Sequence, residues 1–147
     1  MAGIQKTFDI NLLMKDAGLV AASAAATVSA AAKVLDLGVG LMEGDVVIDA
    51  TAVEVGSSDE IYTICFQVST SATFASVFYS LASLPIGHLT PLLGDTSMIE
   101  GRYILPVNNM IADGTCIRYA RLYTVVAGAI ATGINYTAYL ARRSGTG

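Results

Sequence analysis

From Ile61 to Ser69 the chain alternates with a period of two. Tyr62, Ile64, Phe66 and Val68 fall on one side of an extended segment; Thr63, Cys65, Gln67 and Ser69 fall on the other. The pattern returns near the end, where Ile134, Tyr136, Ala138 and Leu140 interleave with Asn135, Thr137, Tyr139 and Ala141. Successive side chains of a strand point to opposite faces, so each set can be buried together only if the segment is β. A helix would scatter both sets around its surface. The two apolar rows are therefore expected to face a core.

Weaker versions of the signal predict strands at 46–55, 76–84, 101–107 and 115–126, with Val34-Leu35-Asp36-Leu37 as a further β piece. Glycines punctuate a turn at 38–44, and Asp113-Gly114 suits a tight turn between two strands. Pro85, Pro91 and Pro106 are expected at strand ends or in loops, where a missing amide donor costs little. Several short strands without amphipathic helices between them argue for an all-β sandwich or barrel. Residues 1–33 differ. They are rich in Ala, with few bulky apolar side chains after Met14, and are expected to form an N-terminal arm or edge element, either extended or a short helix. The expected division is thus 1–33 arm, 34–141 β-sandwich, and 142–147 a flexible, solvated tail carrying Arg142 and Arg143.

A chain of 147 residues makes one domain with one core. Only 14% of its residues are charged, against about a quarter in an ordinary soluble domain, so much of its surface is expected to lie against other chains. Residues 122–141 carry no charge over a bilayer-spanning length, but Gly128, Gly133 and Asn135 interrupt them and the second half alternates. Two strands around a loop fit better than a membrane span. Lys6, Lys15 and Ala22-Ser23-Ala24 imitate a secretion signal, yet Asp9 and Asp16 break the leader. Without secretion, Cys65 and Cys116 are expected as reduced thiols.

Charge is sorted along the chain. Between Asp36 and Gly101 there are nine acidic residues and no Lys or Arg; from Arg102 onward there are five arginines and one aspartate. The net charge of −4 argues against a nucleic-acid partner. The segregation either averages out as strands interleave in space or provides complementarity toward other copies or a larger partner.

Reactive chemistry is sparse. The 38–44 segment resembles a nucleotide-binding glycine loop only loosely, and it leads into a strand, so no helix N-terminus awaits a phosphate. His88 is the only histidine, with no Cys or acidic residue at metal-ligand spacing, and no Gly-x-Ser-x-Gly elbow marks a nucleophile. We expect no catalytic, cofactor-binding or metal-binding residues and no enzymatic activity. Asn135-Tyr136-Thr137 matches a glycosylation sequon inside a predicted strand. Tyr103, Tyr119, Tyr123, Tyr136 and Tyr139 suit cross-strand packing, although interfaces and glycan-binding faces use tyrosine similarly.

In its order of segments the chain resembles the capsid cement, or decoration, proteins of short-tailed bacteriophages. The matching features begin with Asn11-Leu12-Leu13 before Asp16-Ala17, then Val34-Leu35-Asp36-Leu37-Gly38 with Gly40. The Tyr62-x-Ile64-x-Phe66-x-Val68 strand follows, leading to a Ser/Thr-rich stretch that ends at Phe74. Gly101-Arg102-Tyr103-Ile104-Leu105-Pro106, Arg118-Tyr119-Ala120-Arg121-Leu122 and Thr137-Ala138-Tyr139-Leu140 complete the set, from about residue 8 to 141. The leader at 1–7 and the insertion-like stretch at 87–99 depart from it. The resemblance implies a jelly-roll-like β-sandwich on the outside of an icosahedral head, tying neighbouring major capsid subunits together. It also implies a homodimer or homotrimer, located on the virion and in the host cytoplasm during assembly. No functional residues carry over, since the family has no catalytic motif. The alternative from another class is a β-sandwich glycan-binding module of a tail or adhesin.

Overall fold

The computed structural model describes residues 9–90, 94 and 96–142, with only the backbone at Arg142. The leader at 1–7, Pro91 and the tail at 143–147 lie outside the described residues. Strands account for 55% of the described residues, and the protein is all-β.

A 3-10 turn at Ile10–Leu12 is capped by Asp9, whose carboxylate accepts from Asn11 N–H. It leads into six short strands: β1 (Leu13–Lys15), β2 (Leu19–Val20), β3 (Ala24–Ala25), β4 (Thr27–Val28), β5 (Ala31–Ala32) and β6 (Leu35–Asp36). Six long strands follow: β7 (Glu43–Val53), β8 (Ile61–Ser69), β9 (Phe78–Gly87), β10 (Gly101–Asn108), β11 (Tyr119–Ala127) and β12 (Ile134–Arg142).

One sheet runs β1-β12-β7-β10, with β2 also on β12; the other runs β3-β11-β8-β9, with β6 also on β11. All pairings within these sheets are antiparallel. Counted as eight strands, with β1 and β2 as the first and β3 and β6 as the second, the first pairs with the last. The second then pairs with the seventh, the third with the sixth, and the fourth with the fifth. That nesting is the jelly-roll order, in which a folded-over ribbon of strands rolls into two packed sheets. Most of the edge pieces are only two residues long; Leu35 of β6 reaches the core and Val20 of β2 packs against it, whereas the Ala-Ala pairs of β3 and β5 have little side chain to pack.

The core lies between the sheets. Tyr62, Ile64, Phe66 and Val68 of β8 and Ile134, Tyr136, Ala138 and Leu140 of β12 are all fully buried there, as their alternation requires. Val46 and Ile48 of β7, Leu105 and Val107 of β10, and Ala120 and Leu122 of β11 join them.

Two expectations need correction. Pro85 and Pro106 lie inside β9 and β10, paired with Thr63 and Asp45. Both strands are sheet edges, where the missing N–H leaves no ladder bond unmade. The predicted strand at 115–126 begins only at Tyr119, because Asn109 captures the chain before it: Ile117 N–H donates to Asn109 O, and Asn109 Nδ2 to Ile117 O.

Candidate functional site

Because the long strands alternate in direction, their loops gather at two ends. One end collects 37–42, 70–77 and 109–118; the other collects 54–60, 88–90 with 96–100, and 128–133. The two ends differ chemically.

At the first end apolar side chains face solvent. Val39 is 95% exposed and Leu41 57%, so neither is engaged with the core. Met110 and Val77 are exposed as well. Gly38 and Gly40 both have positive φ, which lets the 38–41 turn project outward. Asn109 fixes this turn from below. Fully buried, it accepts from Met42 N–H at 2.7 Å and donates to Gly40 O at 3.0 Å and to Ile117 O at 2.9 Å. The turn and the neighbouring 109–117 loop thus form one rigid apolar tip.

At the second end carboxylates do structural work. Glu54 accepts from the N–H groups of Ala131, Thr132 and Gly133, gathering the β11–β12 turn onto the end of β7. Those donors hold its carboxyl below the usual range. Glu60 is fully buried; burial opposes its charge, but N–H donors from Ser57 and Asp59 outweigh that and lower its pKa. Glu100 accepts from Val53 N–H, and Asp59 from Ala129 N–H.

The outer faces of the sheets are also built. Across one, Leu13, Tyr139, Val47 and Ile104 stand in register on four adjacent strands. A concavity of about 410 Å³ beside them is lined by Tyr139, Thr137 and the Asp49–Arg102 ion pair. On the other sheet, the Arg121 guanidinium sits 4.2 Å from the Phe74 ring and close to those of Phe78 and Tyr123, and its Nε donates to Gln67 Oε1. Phe74, which has a positive φ, is buried there, so Arg121 pins the 70–77 loop back onto the sheet. Arg102 with Asp49 and Arg118 with Asp36 each join the basic stretch to the acidic one, so part of the charge segregation cancels inside the fold.

The residues singled out in the sequence do not converge. His88 is half-buried beyond β9, its Nδ1 3.0 Å from Ser97 Oγ; no described carboxylate is hydrogen-bonded to the ring. Cys65 is buried on β8 and Cys116 half-buried in the 109–117 loop, both as free thiols. Asn135 lies within β12, its Oδ1 accepting from Gly18 N–H. The tyrosines divide among the core (Tyr136), the outer face of one sheet (Tyr139) and that of the other (Tyr123). Among the described residues no group of three His, Cys, Asp or Glu is placed to hold a metal ion, and no helix is long and apolar enough to cross a membrane. Sequence reading missed Lys15, Glu54, Glu60 and Asn109, which fix the loops. The one available signal was Glu54 and Glu60 flanking the turn-rich 56–59 segment.

Neither a protein-family model nor a characterised protein matches this chain.

Proposed function

We propose that this protein is a structural virion protein: a decoration protein that binds the outside of an icosahedral phage head and ties neighbouring major capsid subunits together. The observation that carries the reading is the rigid apolar tip at one end of the jelly roll. Val39, Leu41 and Met110 are held out to solvent by Asn109, while the opposite end is acidic and occupied with its own loops. Exposed apolar side chains on a fixed scaffold suit a protein surface as partner. The ordered resemblance over residues 8–141 and the low charge content support the same reading. On this reading many copies sit on a repeating lattice, each gaining avidity from several contacts. The free protein waits in the host cytoplasm until heads assemble.

A ligand that binds the assembled head better than its separated subunits stabilises the head by mass action. The test is to add the pure protein to heads that lack it, image them by cryo-electron microscopy, and follow their thermal disruption. We expect density outside the major capsid shell and a higher disruption temperature, both lost with Leu41→Asp. Density inside the head or in the tail alone would overturn the reading. So would a chain that ignores heads but binds a glycan array.

A further inference from the structure

Three arginines have described side chains, and two are neutralised by carboxylates. Arg102 of β10 donates to both oxygens of Asp49, its cross-strand partner on β7, and Arg118 does the same to Asp36. Arg121 of β11 stands against β8 as Arg102 stands against β7, but the residue directly across from it is Gln67. From residue 61 to residue 90 the chain has no Asp, Glu, Lys or Arg, so β8 and β9 bring it no counter-charge.

Arg121 is nevertheless held in place. Its guanidinium carbon lies 4.2 Å from the Phe74 ring centre, 5.4 Å from that of Phe78 and 5.3 Å from that of Tyr123. Its Nε donates to Gln67 Oε1 at 2.9 Å. The two Nη atoms remain, with no hydrogen bond to any described residue and both open to solvent. Burial among the rings lowers the Arg121 pKa, whereas hydrogen-bonded carboxylates raise those of Arg102 and Arg118. The rings attract the cation without using its N–H groups. What they leave is an already ordered, planar, two-donor fork, the shape that matches a carboxylate.

The surroundings select the source of that carboxylate. Phe78 is 46% exposed beside the fork, and Val77, 66% exposed, belongs to the same end of the molecule as Val39, Leu41 and Met110. A free hydrated anion gains nothing from large apolar neighbours, whereas an acidic side chain on a protein surface brings apolar area with it. Arginine among aromatic rings is also the composition that dominates binding energy at protein interfaces.

We propose that Arg121 is the charged centre of the capsid contact: its two Nη atoms take the carboxylate of an aspartate or glutamate of the major capsid protein, while Phe78 and the apolar tip bury against the shell around it. This rests on the capsid reading and names the chemistry of the partner surface.

The test is the affinity of the purified protein for heads that lack it, measured across salt concentration. Gln67→Glu supplies the missing carboxylate internally while keeping the acceptor for Nε and the stack on the rings. We expect Gln67→Glu and Arg121→Gln each to raise the dissociation constant about tenfold or more and to flatten its increase with salt. Arg102→Gln makes the same change in net charge on the other sheet and should leave both unchanged. Circular dichroism checks that each variant is folded. The map of heads coated with the parent protein needs no variant, and it should show a shell carboxylate within hydrogen-bonding distance of the Arg121 Nη atoms. A parent that coats heads with Arg121 facing solvent, or whose Gln67→Glu and Arg121→Gln variants bind equally well, overturns the proposal and leaves the capsid reading standing. A parent that ignores heads sinks the capsid reading itself. Sialyllactose bound by the parent and not by Arg121→Gln, with heads bound equally by both, would assign the fork to an acidic sugar instead.

Discussion

The ammonium of Lys15 lies 4.5 Å from the centre of the Tyr136 ring and donates to the carbonyl oxygen of the same residue. Its other two donors reach Asp16 O and Gly18 O. A lysine only 3% exposed is thus satisfied by carbonyls and a ring face, and burial lowers its pKa. Lys15→Met keeps the bulk and removes all three bonds, so it should cost about 1–3 kcal/mol in urea denaturation. A variant as stable as the parent would mean that the three carbonyls find other donors.

Acid should act first on the end opposite the apolar tip. The Glu54 carboxyl titrates below the ordinary value of about 4.3, because three N–H groups favour its charged form. Its contribution is therefore complete above the unfolded pKa and is lost as pH falls through the lower folded value. Glu54→Gln should lower the melting temperature at pH 7 and flatten its fall between about pH 5 and 3, because glutamine does not titrate. Melting curves across that range check this.

Gly133 has a φ of +93°, and a Cβ there would land on the backbone carbonyl of Val20. Gly133→Ala combines a left-handed residue with a backbone collision, for an expected loss of about 2–5 kcal/mol. Hydrogen exchange should show β2 detaching from β12. Gly114→Ala, also at positive φ but with open space around it, should cost only about 1–2 kcal/mol.

The two thiols should react at different stages. Burial raises the pKa of Cys65, whereas Cys116 is half-buried in a loop. A thiol reagent should label Cys116 in the native protein and reach Cys65 only with unfolding, as mass spectrometry of the labelled peptides would show. Equal labelling under native conditions would contradict the position of Cys65 on β8.

β8 and β12 were legible because each buries a complete face. β8 was predicted with the bounds Ile61–Ser69 that it has, and both apolar rows point inward. The edge strands were not. Ala24–Ala25 and Ala31–Ala32 are too short to alternate, and their pairing depends on where β11 or another short strand lies. Nor could two of the loop anchors be read from the sequence: Lys15 and Asn109 look like ordinary surface residues, and their partners Tyr136 and Met42 are remote in sequence. The turn at 38–44 was legible from its glycines, but not that Val39 and Leu41 stand out from it into solvent, which depends on the positive φ of Gly38 and Gly40.

The site that holds Lys15 is completed by Tyr136, 121 residues further along the chain. While the ribosome is still making β11, that site does not exist, and β1 and β2 have no strand to pair with. The β8–β9 hairpin can form early because its contacts are local. The two edges built on the N-terminal segment must wait for the last strands to emerge. However early that hairpin forms, β1 and β2 cannot be secured before β12 is made, nor β3 and β6 before β11.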